Sequence, residues 1–342
     1  MNTKVKIAAF GLLLPVCAYP WANPGHMAVA ACAYDELSPA QRDRVIALLK
    51  KHPDLKPIEN GFGGSLPDDR SFFMAAATWP DLIRGDNDYA EDKSDPYEKK
   101  KTVLAPANYR DGLKHRGWHF QDNYFWDDTG PAGNLPSTPV VNAVSVVKML
   151  VDQIKSDSDD TERAYALMWL FHLTGDIHQP LHAVSGVRRD FPDGDNGGNS
   201  VMILKAPGAN EPLHATELHA FWDDLPGVSA NARQSSDHLA KDVATALTFV
   251  GGLASVPLQA SADSLDPQTW AAESFTMAKN DAYKLDIKEA TVTPKAGTSK
   301  KPRVVLEAQI SDAYHDQAMK DAQERVKLAG HRLALLLIQL VP

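Results

Sequence analysis

Residues 171–183 read FHLTGDIHQPLHA, which places His172, Asp176, His178 and His182 within eleven positions of an otherwise apolar stretch. His172 and Asp176 are four apart, so on a helix they project from one face and can meet a single cation. Imidazole nitrogen and carboxylate oxygen are ordinary zinc ligands at about 2 Å. Pro180 bends or ends the helix, which frees His182 to leave that face and reach a different ion. A single histidine on an apolar face reads as a satisfied core residue, whereas four potential ligands in so short a run read as a metal site.

One helix cannot complete such a site, and the chain offers partners. In ELHAFWDD, residues 217–224, His219 and Asp223 form a second pair spaced four apart. RGWHFQDNY, residues 116–124, sets His119 beside Phe120 and Asp122. ATWPDLIRGD, residues 77–86, carries Asp81 with Arg84 one helical turn later.

Outward from residue 171 the pattern is helical. Glu162–Leu173 repeats apolar residues at spacings of three and four, as do Val140–Ile154, Asp237–Val250, Trp270–Ala282 and Leu306–Leu340. Ser38 is placed to cap a helix over Pro39–Lys51, with Pro39 at its first position. Strand-type alternation is scarce, and Ser200–Leu204 is the best short candidate. Loops are expected at Pro53–Asp69, Asp86–Pro96, Gly130–Pro139 and Ser185–Asn199, where DGDNGGN stands. The basic stretch KEATVTPKAGTSKKP, residues 288–302, reads as a solvated insertion, with a nucleic-acid contact as the competing reading. The expectation is an all-α fold: one mainly helical domain over residues 21–342.

Residues 1–20 read as a secretory signal, because Lys4 and Lys6 precede the apolar run Ile7–Val16. That run is too short for a stable bilayer span. Cys17 raises a lipoprotein reading, against which bulky Val16 counts. Loss of the signal leaves Cys32 as the one cysteine, so no intramolecular disulfide is expected. It also moves the net charge from -9 to -11. An acidic chain argues against a broad basic stripe for nucleic acid; positive charge would have to be local, and bound cations can supply it.

These motifs together resemble the zinc-dependent, single-strand-preferring S1/P1 nucleases, whose helical fold and three-zinc centre are shared with bacterial zinc phospholipases C. The resemblance runs from Trp21 to AGHRLALLL, residues 329–337. It implies three zinc ions: one held by Asp81, His119, His172 and Asp176, a second by His182, His219 and Asp223. The third would be held by the amine and carbonyl of Trp21, with His26 and again Asp176. Cleavage just before Trp21 would be a condition of activity, because its amine exists only afterwards. Cleavage after Ala18 would instead leave Tyr19 and Pro20 attached and block that chelate. Two departures from the family pattern, Pro80 before Asp81 and Glu217 before Leu218, remove no ligand.

The resemblance further implies a nucleophile between the first and third ions and a catalytic Arg84 steadying phosphate charge. It also implies Phe120 stacking on a base, Asp122 bonding the base edge, and Asn199 near the phosphate, a turn role for Asn199 being the alternative. Substrates would be single-stranded DNA and RNA and nucleotides, cleaved to 5′-phosphorylated products by an exported, periplasmic or secreted monomer with no membrane anchor. His178 would be no ligand but a support behind the ligands or a structural residue, and His115, His214, His238 and His315 surface or capping residues. Competing readings are a phospholipase C on the same metals and a non-enzymatic zinc-binding protein; Arg84 and Phe120 beside ligands count against the latter.

Overall fold

A helix buried along almost its whole length organises the molecule. In the computed structural model, which describes residues 21–91, 107–127, 134–189, 191–231, 234–292 and 303–342, every residue from Ala164 to His178 is buried. A helix apolar on all sides must be wrapped by others.

In chain order the helices are α1 (Asn23–Glu36), α2 (Pro39–Leu49), α3 (Lys56–Gly61), α4 (Asp69–Ala76), α5 (Trp79–Leu82), α6 (Ala143–Ser156) and α7 (Asp160–His178). α8 (Leu218–Asp223), α9 (His238–Gly251), α10 (Pro267–Met277) and α11 (Asp312–Leu340) follow. The buried helix is α7, and α1, α2, α4, α5, α6, α10 and α11 pack against it. Short polar side chains start several of the helices by capping free amides. Ser38 and Gln41 form a reciprocal box at α2, Asn142 and Ser145 do so at α6, and Asp159 caps α7. Pro180 ends α7, as the sequence requires, and a 3-10 turn over Pro180–Ala183 redirects the chain.

Strands are short and peripheral. β1 (Tyr124–Trp126) runs parallel to β2 (Ser185–Val187), while β3 (Val201–Lys205), β5 (Arg303–Ile310) and β4 (Lys288–Val292) form a second sheet in that spatial order. β3 pairs parallel with β5, Val201 opposite Leu306, and β4 pairs antiparallel, Lys288 opposite Glu307. The fold is therefore mainly helical, and no helix among the described residues is long and apolar enough to cross a membrane.

Several boundaries differ from expectation. Leu306–Ile310 is strand, not helix: Leu306, Ala308 and Ile310 are buried in alternation with Glu307 and Gln309, and Ser311 then caps α11. Lys288–Val292 of the expected insertion is β4, and residues 293–302 lie outside the described residues. Part of the Pro53–Asp69 loop is α3, and Ser185–Val187 of the next expected loop is β2. Residues 1–20, 92–96 and 130–133, on which the signal and two loop readings fall, also lie outside the described residues.

Candidate metal centre

Three segments converge on the C-terminal half of α7. α7 itself brings His172 and Asp176, with His172 Nε2 3.2 Å from Asp176 Oδ2 across one turn. The 3-10 turn over Arg116–His119 brings His119, whose Nδ1 lies 3.0 Å from the same oxygen and 3.0 Å from His172 Nε2. α5 brings Asp81, Oδ1 of which is 3.9 Å from His172 Nε2. α1 brings His26, its ring stacked 3.9 Å from that of His172 and its Nε2 3.3 Å from Asp176 Oδ1. The turn after α7 and α8 form a neighbouring group, in which His219 Nε2 lies 3.1 Å from His182 Nε2 and 3.6 Å from Asp223 Oδ2.

Three His/Asp groups result: His26 with Asp81 and His172, His119 with His172 and Asp176, and His182 with His219 and Asp223. The last is the set expected for a second ion. The first expected set is divided between two groups that share His172, with His26 lying against it. Asp176 stands between all three, its Oδ1 also 4.0 Å from His182 Nδ1.

The arrangement fits cations better than protons. His172 Nδ1 donates to the Ala77 carbonyl, His182 Nδ1 to that of His119 and His219 Nδ1 to that of Gly197, each at 2.8 Å. A carbonyl only accepts, so in the neutral rings all three Nε2 atoms present lone pairs to the cluster. Two lone pairs 3.1 Å apart, as at His182 and His219, repel unless positive charge lies between them. His26 Nδ1 and Nε2 and Asp176 Oδ1 are buried without hydrogen-bond partners. Burial pushes Asp176 and Asp223 well above the carboxylate range and His26, His119 and His182 well below the imidazole range. Cations favour the opposite for the acids, anionic carboxylates, while keeping imidazoles bare.

This His/Asp constellation agrees with comparisons of the whole sequence. Residues 21–342 match the family model described as S1/P1 Nuclease. The chain belongs to the S1/P1 nuclease family. It is 24% identical to Nuclease S1 of Aspergillus oryzae over 345 residues, 98% of this chain and 96% of that one. It is 26% identical to Endonuclease 3 of Arabidopsis thaliana over 211 residues, 60% of this chain and 54% of that protein. Endonuclease 1 of the same plant matches at 27% over 179 residues, 50% of this chain and 48% of that one. The chain thus aligns with about half the length of the two plant endonucleases.

Of the other residues singled out by the sequence of this S1/P1 family member, Arg84 is buried at the edge of the cluster, its Nη1 donating to Asp81 Oδ1 at 3.1 Å. Phe120 is half-buried, with its ring 5.8 Å from that of His182. Asp122 is half-buried, and burial with the nearby Asp195 carboxylate pushes its carboxyl up to about 7. Trp21 is fully buried, and its Nε1 donates to the Gly175 carbonyl at 3.0 Å, beside Asp176. Asn199 Nδ2 donates to Asn196 O at 2.8 Å within its own loop. His178 faces away from the cluster: Nδ1 donates to Thr174 O, and Nε2 accepts from Arg332. His115 is buried, not on the surface; its ring stacks 3.7 Å over Trp118 and supports the turn that carries His119.

Sequence reading missed the supporting residues. Gln179 donates from Nε2 to Asp223 Oδ1 at 2.7 Å and accepts from the Leu181 amide, joining α7 to the second group. Its place between two ligand motifs was the available signal. Gly197 occupies a left-handed conformation, φ +62°, where a Cβ would lie 2.3 Å from Leu181 O; the close approach lets its carbonyl meet His219. Asp195 ties that loop down, accepting from the Gly186 and Gly198 amides and the Tyr283 hydroxyl.

Proposed function

We propose that this chain is a zinc-dependent endonuclease that hydrolyses phosphodiester bonds of single-stranded DNA and RNA to 5′-phosphorylated products, with 3′-nucleotidase activity. The observation that carries the reading is the convergence of the three His/Asp groups on Asp176, with Arg84 and Phe120 at the rim. The residues that would hold metal are Asp81, His119, His172 and Asp176; His182, His219 and Asp223; and His26 with Asp176 and the backbone of Trp21. Zinc there supplies Lewis acidity, which makes water a stronger nucleophile at neutral pH and neutralises phosphate charge.

The chain's own groups do the remainder. Carbonyls of Ala77, His119 and Gly197 fix the imidazoles, so little reorganisation is needed when substrate arrives. Arg84 lies against Asp81 and supplies a charged donor for phosphate oxygens as charge builds on them. Phe120 offers a ring face for a base, and Asp122 accepts from or, protonated, donates to the base edge. A paired base is not free to stack there, which favours single strands.

Export, with cleavage before Trp21, belongs to the same reading. It is supported by the start of the family match at residue 21 and by the anchoring of this segment: Ala22 N donates to Asp223 O, Asn23 N to Ser229 Oγ and Asn23 Nδ2 to Asp242 Oδ2.

Native mass spectrometry of the exported protein tests metal and terminus together, and three zinc ions on a chain starting at Trp21 are expected. Cleavage of single-stranded DNA and RNA, lost on chelation and restored by zinc, completes the test. Hydrolysis of phosphatidylcholine vesicles without nucleic-acid cleavage would make it a phospholipase C. Tight zinc binding with no turnover of either substrate would make it a zinc-binding protein.

A further inference from the structure

The extended segment that starts at Phe120 continues past the candidate base site. Gln121 N donates to His182 O, Ser185 N to Asn123 O and Asp127 N to Val187 O, so residues 121–127 run beside 182–187 in a nearly constant register. In an extended chain alternate side chains share a face. Phe125 takes the inner face, its ring 5.0 Å from Tyr283 and 6.3 Å from Phe275, under the exposed Lys279 ammonium 5.6 Å from its centroid. Tyr124 and Trp126 therefore take the outer face, the one that Phe120 and Asp122 occupy earlier in the same run, and both are half-buried. Tyr124 leans toward the DGDNGGN loop: a Cβ on Gly194 would lie 3.1 Å from its Cε1.

We propose that Tyr124 and Trp126 form a second base-stacking position, which holds a nucleotide of single-stranded nucleic acid farther along the strand than a dinucleotide seated at Phe120 and Asp122 reaches. The proposal rests on the nuclease reading above. Same-face side chains on a strand recur about every 6.6 Å. A base inserted between two rings needs about 6.8 Å, twice the stacking separation of 3.4 Å. The backbone spacing of Tyr124 and Trp126 therefore matches that of one inserted base, and the intervening Asp122 separates the pair from the Phe120 position. The surroundings favour stacking over phosphate contact: burial, and after it the negative charges of Asp122 and Asp193, push the Tyr124 phenol up to about 12, while Arg188 is engaged by Asp127. Phosphates would point outward, and binding at this position would depend little on salt.

Binding of fluorescently labelled, hydrolysis-resistant phosphorothioate (dT)2 and (dT)8 to the full zinc-loaded protein tests this at 50 and 200 mM salt, about the range over which phosphate contacts weaken. Tyr124→Ala and Trp126→Ala are expected to raise Kd for (dT)8 at least five-fold, by the same factor at both salts, and to leave (dT)2 unchanged. Trp126→Phe and Tyr124→Phe should restore most of the loss, which distinguishes stacking from misfolding. Equal Kd values for all four variants and the native chain, equal losses on both oligonucleotides, or loss not rescued by the aromatic variants would overturn it. Cleavage of unmodified (dT)8 by the native protein separately tests the nuclease reading, since the binding comparison needs no turnover.

Discussion

His26 Nδ1 occupies the space where Gly175 would carry a side chain: a Cβ there would lie 2.8 Å from it. Because His26 is fully buried and its ring is stacked on His172, it has no cheap way to move aside. Gly175→Ala should therefore displace His26 and cost the folded protein one zinc. Metal analysis of the purified variant checks this, and a full complement of metal would show that His26 is not a ligand.

Gln179 steadies Asp223 through one hydrogen bond, and removing such a partner of a ligand typically weakens metal binding about 10- to 100-fold. Gln179→Ala should lose metal from the His182, His219 and Asp223 group at a lower chelator concentration than the native protein. Competition with a zinc chelator measures it, and the other groups should hold as before.

In the proposed reading Arg84 acts on phosphate charge and holds no metal. Arg84→Lys keeps a positive charge against Asp81 but loses the planar fork, so kcat should fall about 10²- to 10³-fold with zinc content unchanged. Parallel assay of turnover and metal decides between this role and a purely structural one, which would lower both.

Glu273 is shared by two buried arginines, Arg325 at 3.1 Å and Arg332 at 2.7 Å, which join α10 to α11 behind His178. Glu273→Gln leaves both charges poorly compensated and should cost about 3–5 kcal/mol of stability. Urea unfolding of the two proteins gives the difference directly.

His331 joins α11 to Glu36 at 2.8 Å and to Asp263 at 3.1 Å. Burial opposes its charge, but the two carboxylates outweigh burial and raise its pKa. Its stabilising contribution is thus complete below the unfolded value near 6.5 and is lost as pH rises through the raised folded value. The Tm difference between the native chain and His331→Gln should be widest near pH 5.5, below that value, and close at alkaline pH. A difference independent of pH would show that the contact acts without the imidazole's charge.

The sequence alone determined the helical class, because apolar spacing of three and four recurs over several long segments, and it determined which residues are candidate ligands, because few other patterns crowd His and Asp so closely. Pairs four apart, such as His172 with Asp176 and His219 with Asp223, are local facts of a helix, and Pro180 sets where α7 ends. What lies between motifs was decided only by tertiary structure. Which histidines face one another depends on how α1, α5 and the turn before Phe120 pack on α7, so the sharing of His172 between two groups and the stacking of His26 on it had no local signal. The same holds for Gln179, Gly197 and Asp195, whose roles are hydrogen bonds to residues distant in sequence. Leu306–Ile310 became a strand because β3 and β4 offered backbone partners on both sides, and a ladder partner is a property of the folded chain that spacing along one segment cannot carry.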